Sequence, residues 1–167
     1  MSRFLLLMSM LSLLSIGAIF GFFCAWVCST MWGLDATDPG TAIAAMQAMN
    51  ASVRNAVFFP AFFMTPFILG ATAILAAQVA ERKSAILFGL AAIFYFGGAF
   101  LVTAMVNVPM NEALAEVSIP TDLDAAHNIW QDYSANWQVW NLLRTIVSGI
   151  CLLLTGLAIF FLNSKAS

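Results

Sequence analysis

Four long stretches of this chain carry no charge at all, and they dictate what it can fold into. Phe4–Leu34 is a run of 31 uncharged residues, Asn55–Ala80 of 26, Ser84–Asn111 of 28 and Thr145–Ser164 of 20. A helix needs about 20 mainly apolar residues to cross the hydrocarbon core of a bilayer, so each run suffices for one crossing. Backbone groups in lipid must be satisfied within their own segment, which makes the crossings helical. The expected fold is all-α: an integral-membrane four-helix bundle forming a single domain over residues 1–167, with spans at about 4–31, 55–80, 84–107 and 141–163. The first run exceeds the apolar stretch of a cleavable signal, about 7–15 residues, and no small-residue cleavage site ends it, so it is expected to remain as a helix.

Composition closes off the other classes. Only 8% of the 167 residues are charged and 62% are apolar, whereas soluble domains carry about 25% charged residues. The chain cannot dress the surface of a soluble enzyme, and it is too apolar for disorder. With a net charge of −2 it lacks the basic face that nucleic acid requires. Membrane lipid is its expected surrounding.

The charges also orient it. Arg3, Arg82, Lys83 and Lys165 fall at the N-terminus, the turn between spans two and three, and the tail. Those places share one side of a four-span protein, which the positive-inside rule makes cytoplasmic. The expectation is both termini inside, in a bacterial inner membrane. Seven of the eight acids lie on the opposite side, joined there by Arg54 and Arg144. Glu81-Arg82-Lys83 is a tight turn, so spans two and three form an antiparallel hairpin. The other two connections, about Ser29–Arg54 and Asn107–Trp140, are long extracytoplasmic segments expected to contain short helices. Thr41, after the Asp38-Pro39-Gly40 turn, is a candidate helix cap. Thr121 or Asp122 is another, opening a helix that continues through Trp130 into span four.

That last helix carries a polar and aromatic stripe. His127, Trp130, Ser134, Trp137, Asn141, Arg144 and Ser148 advance by three or four residues at a time, with Tyr133 and Trp140 beside them. Arg144 is the informative member, because a charge entering a span is costly unless paired or turned to a polar cavity. Taken singly, Trp130, Tyr133 and Trp140 are ordinary interfacial aromatics, and an Arg near a helix end can reach the headgroups. Trp137, Asn141 and Arg144 together suit a pocket better, since a lipid anchor needs no Asn one turn before the Arg.

Span three offers a matching face in Thr103, Asn107 and Asn111. Pro109 lies between the two asparagines and should free carbonyls near Met105, which the Asn side chains can satisfy. The functional reading puts both asparagines in one cavity with Asn141 and Arg144, with Glu112 as a partner for Arg144. His127, the one histidine, reads first as a solvated helix-start residue. No set of His, Cys and carboxylates has metal-ligand spacing. Cys24 and Cys28 lie four apart on one face and Cys151 stands alone; without C-x-x-C they read as apolar filler. Gly17 with Gly21, and Gly97 with Gly98, are spaced for close helix approach. The many Phe and Met are read as core and lipid face.

Three stretches, Ala42–Asn50, Asn107-Val108-Pro109-Met110-Asn111-Glu112-Ala113-Leu114 and Trp137-Gln138-Val139-Trp140-Asn141-Leu142-Leu143-Arg144, together resemble the anthrone oxygenase-like family of small four-span membrane proteins. The resemblance covers nearly the whole chain. It implies oxidation of an anthrone-like polycyclic phenol to a quinone with O2, using no metal or organic cofactor. Such a site needs an aromatic slot, a base and fixed donors for an anion. Trp130, Trp137 and Tyr133 are candidates for the slot, Arg144 with Asn107, Asn111 and Asn141 for the anion site, and His127 or Asp132 for the base. The family often shows His after the Asn of W-x-x-W-N; Leu142 stands there in this chain. The competing expectation is a non-catalytic membrane protein, either a lipophile-binding module or a small subunit that meets a second copy or a complex partner. A cavity under Trp137 with Arg144 turned inward favours the first reading, and a long uncovered apolar face the second. Thiol–quinone chemistry would require Cys24 and Cys28 within bonding distance.

Overall fold

The computed structural model describes residues 3–163 and is helical, with no strand among them. Helix α1 (Arg3–Ala25) runs through a π-helical segment, Trp26–Thr30, into α2 (Met31–Asp35). Helix α3 (Pro39–Ser52) follows, then α4 (Phe58–Gln78) and α5 (Arg82–Tyr95). Two further π segments, Phe96–Leu101 and Thr103–Asn107, carry α5 into α6 (Val108–Ala115), and α7 (Leu123–Asn163) completes the chain. Among the described residues four helices are long and apolar enough to cross a membrane: Arg3–Asp35, Phe58–Gln78, Arg82–Ala115 and Leu123–Leu162. This is the architecture of an integral membrane protein. Lys165, one of the orienting charges, lies outside the described residues.

The long helices form a closed ring of neighbours: α1 packs on α4, α4 on α5, α5 on α7 and α7 on α1. Each neighbouring pair is antiparallel. Ser12 meets Thr72 through a 2.9 Å hydrogen bond, and farther along Phe22 meets Phe58 with ring centroids 4.6 Å apart. On the other side, Ser84 Oγ donates to the Ala158 carbonyl at 2.8 Å. Ile16, Phe23, Leu69, Phe88 and Cys151 fill the interior, each 1% exposed or less. Leu7, Leu14, Phe67, Ile93 and Leu153 point outward, where a bilayer supplies apolar surroundings.

Two prolines shape the bundle differently. Pro66 sits inside α4 and has no N–H for the Phe62 carbonyl four residues back. Tyr95 Oη donates to that carbonyl at 2.9 Å from the neighbouring helix. Near Pro109 the backbone adjusts instead. The Val108 N–H reaches back to the Thr103 carbonyl in a π turn, and the Asn107 side chain satisfies nothing, contrary to the expectation that it would serve freed carbonyls.

At one end the helices rise past the bundle. Helix α7 has 41 residues, about 60 Å at 1.5 Å per residue, against about 30 Å of hydrocarbon. The second long connection is therefore mostly the extended ends of α6 and α7, with only residues 116–122 between them. Asp122 caps α7, its Oδ2 accepting from the Ala125 N–H at 2.8 Å. In the first connection Asp38, not Thr41, is the cap: its Oδ1 accepts from the Thr41 backbone at 2.8 Å, because Pro39 already occupies the first turn. Helix α3 lies across this end, burying Ala42, Ile43 and Met46 against Met31, Leu114 and Trp130.

Of the glycines expected to bring helices together, Gly98 does so: a Cβ there would stand 2.8 Å from both methyls of Val147. Gly17 is in ordinary contact distance of Leu152, while Gly21 and Gly97 face no neighbour within 4 Å. Gly149, where a Cβ would stand 3.2 Å from the Phe20 ring, was not expected.

Candidate functional site

Beneath α3, between α1, α4, α7 and the π-helical part of the third span, is a cavity of about 310 Å³. Its walls are mainly aromatic: Phe22, Phe23 and Trp26 from the first helix, Phe58 and Phe62 from α4, and Trp137 from α7. Asn50 of α3 and Arg54 after it line the cavity, and further polar groups enter from two long helices. Thr103, Asn107 and Asn111 come from the third span, Asn141 and Arg144 from α7.

Arg144 is 4% exposed and has no carboxylate partner among the described residues. Nη1 donates to Thr103 Oγ1 at 3.0 Å and Nη2 to Asn141 Oδ1 at 2.9 Å. The flat faces of the guanidinium lie near two rings, with Cζ 4.6 Å from the centroid of Phe23 and 5.4 Å from that of Trp137. Such contacts lower the cost of a buried cation without neutralising it. Its Nε has no partner among the described residues. Glu112, the expected partner, instead pairs with Arg54 at 3.3 Å. Both side chains of that pair are more than half exposed, at the rim of the cavity.

Asn141 is held in turn, its Nδ2 donating to the Phe23 carbonyl at 3.2 Å. Asn107 is buried with neither amide atom partnered. An unsatisfied buried polar group costs about 1–3 kcal/mol, and the unpartnered Asn107 amide and Arg144 Nε belong to two residues that line the same cavity. Asn111 is oriented by two donors on one oxygen, Tyr133 Oη at 2.8 Å and Trp137 Nε1 at 3.1 Å. Tyr133 itself receives the Asn50 amide at 3.3 Å.

The stripe on α7 thus divides into three levels. Outermost, Trp130 Nε1 and Ser134 Oγ donate to Asp35 Oδ1 at 3.0 and 2.6 Å, and Gln138 donates to Oδ2 at 2.9 Å. These bonds clamp the end of the first helix to α7, so Trp130 is not part of the cavity lining. In the middle, Tyr133 stands behind Asn111, while Trp137 both orients Asn111 and faces the cavity. Innermost are Asn141 and Arg144.

His127 and Asp132 are exposed and line no part of the cavity. The reason is geometric. Steps of three and four average less than 3.6, so the 17 residues from His127 to Arg144 rotate it about 100° away, and Asp132 turns to a different side of the helix. Sequence reasoning passed over Phe22, Phe23, Trp26, Phe58 and Phe62 as core or lipid face. Their one signal was the spacing of four in Phe22–Trp26 and Phe58–Phe62, which an apolar span hides. Cys24, Cys28 and Cys151 are free thiols; Cys151 is buried and Cys28 exposed. No three His, Cys, Asp or Glu among the described residues converge to hold a metal ion.

No curated protein and no solved structure matches the chain significantly. A family model does: the one described as anthrone oxygenase matches residues 54–154. That segment is more than half of the chain and carries the hairpin, the three polar groups of the third span, and Trp137, Asn141 and Arg144. The chain belongs to the anthrone oxygenase family.

Proposed function

We propose that this protein oxidises an anthrone-like polycyclic phenol to the corresponding quinone with O2, in the cavity under α3. The observation that carries the reading is Arg144: a guanidinium 4% exposed, with no carboxylate partner among the described residues, in the lining of an aromatic-walled cavity that also includes the unpartnered amide of Asn107. A permanent charge in that position serves an anion that forms only during reaction. In an anthrone, loss of a proton from the ring CH2 places negative charge on the ketone oxygen. Arg144 and Asn107 supply donors for that oxyanion, and Trp137 and Phe23 supply faces for the ring system.

The anion passes one electron to O2, the carbon radical and superoxide join in a C–O bond, and the resulting hydroperoxide loses water to leave a carbonyl. One anthrone and one O2 give one quinone and one water, so no further reductant is consumed. Glu112, the carboxylate in the cavity lining, is the group we assign to receive the proton, in place of His127 and Asp132. The cavity lies toward the end opposite Arg3, Arg82 and Lys83, which by the positive-inside rule makes it extracytoplasmic. Leu142, where the family often has His, favours one alternative, a lipophile-binding protein without turnover.

The test is oxygen uptake and quinone absorbance with detergent-purified protein and a simple anthrone, beside a folded Arg144→Met variant. Turnover above the spontaneous rate in the natural protein, lost in the variant, is the expected result. Binding without acceleration across several anthrones would overturn the oxygenase and leave the binding protein.

A further inference from the structure

A second hollow, of about 440 Å³, lies on the outside of the bundle between α1 and α4. Five of its lining residues also line the inner cavity: Phe22, Trp26, Met49, Val53 and Phe58. The two spaces are therefore neighbours with one wall between them. At the centre of that wall Phe22 and Phe58 meet, ring centroids 4.6 Å apart. The outer hollow is floored by Ala18, Ile19 and Ala61. Ala18 and Ile19 sit within the uncharged run of the first helix, so the floor of the hollow belongs to a membrane-spanning helix, while Ser52, Asn55 and Val57 form its rim at the polar segment after α3. The other approach to the inner cavity is bordered by the charged Arg54–Glu112 pair under the cap made by α3.

We propose that the outer hollow is a receiving site for the bilayer-dissolved polycyclic aromatic ligand, which passes from it into the inner cavity between Phe22 and Phe58. The inference rests on the reading of the inner cavity given above. A planar aromatic molecule partitions into the membrane, and small side chains at positions 18 and 61 leave a slot of apolar lining at the depth where it would travel. Two-bond aromatic side chains can swing aside by rotation about χ1 without moving the helices, and each is only half-buried. The same pair, closed, separates the guanidinium of Arg144 from lipid.

The experiment is stopped-flow binding of 1-hydroxyanthraquinone, which cannot be oxidised further at the ring CH2, to protein in phosphatidylcholine vesicles, followed by quenching of the native tryptophans. Ala61→Phe and Ala18→Phe fill the outer hollow from positions that do not themselves line the inner cavity, and having both guards against one failing to fold. Blocking a passage slows arrival and departure alike. Each variant is expected to lower the association and dissociation rates at least tenfold while leaving Kd unchanged. Unchanged rates in both folded variants would overturn the passage and direct attention to the Arg54–Glu112 side. A weaker Kd at an unaltered association rate would also overturn it, showing a resident chain or ligand tail in the hollow. If the natural protein binds no hydroxyanthraquinone, the reading of the inner cavity falls first and the passage with it.

Discussion

The guanidinium carbon of Arg144 lies 4.6 Å from the centre of the Phe23 ring, and the carbonyl of that same Phe23 accepts the amide of Asn141. One residue of the first helix thus supports both the charge and the amide that positions it. The charge is compensated by faces and dipoles rather than by an acid, which leaves it available to an incoming anion.

From this follows a separation of stability from activity. Arg144→Met removes the desolvation cost of a buried charge but strands Asn141 Oδ1 at about 1–3 kcal/mol, so the two offset and the melting temperature in detergent is expected to change little. Its oxygenation rate should fall about 100-fold or more, the scale of losing one preorganised oxyanion donor. A lowered melting temperature with activity retained would assign Arg144 a purely structural role.

Asn107 invites the same comparison with a smaller side chain. Both of its amide atoms are buried without partners. Asn107→Leu is expected to hold or raise stability, by up to about 1–3 kcal/mol, and to weaken hydroxyanthraquinone binding. Isothermal unfolding and ligand titration on one preparation would check both.

The Tyr95–Phe62 hydrogen bond should show its dependence on Pro66. Tyr95→Phe strands a carbonyl that has no helical donor, at a cost of about 1–3 kcal/mol. Pro66→Ala restores an N–H at the position that normally serves Phe62, so Tyr95→Phe should cost less in that background. A double-mutant cycle by thermal unfolding measures the coupling.

Gly98 and Gly97 make a paired test of close approach. Gly98→Ala drives a methyl to 2.8 Å from Val147 and should destabilise by about 1–3 kcal/mol. Val147→Ala should recover much of that loss. Gly97→Ala meets nothing within 4 Å and should be tolerated, as melting temperatures of the three variants would reveal.

How much of this was legible beforehand differs by kind of feature. The spans followed from the absence of charge, which lipid enforces residue by residue. The long α7 followed from an unbroken helical pattern after Pro120. The clustering of Asn107, Asn111, Asn141 and Arg144 was readable because polar residues in an apolar run have few places to go. Partnerships were not readable: of the two cations at that end Arg144 is the nearer to Glu112 in sequence, and packing paired Glu112 with Arg54. Nor were the cavity walls, since a Phe lining a hollow and a Phe facing lipid satisfy the same pattern. His127 was placed on the stripe by treating steps of three and four as one face over five turns.

The π turns of the third span, Phe96–Leu101 and Thr103–Asn107, have a consequence for how this site tolerates change. A π turn holds one residue more than an α turn, so each behaves as a single-residue insertion absorbed by the helix. Remove one residue between 96 and 107 and the helix can tighten without breaking. Everything beyond would then keep its register, with Asn111 and Glu112 still on the cavity side and the change confined to the turn itself. A one-residue deletion is thus expected to spare the site here, whereas in a plain α-helical span it would rotate all that follows by about 100° and take the site apart.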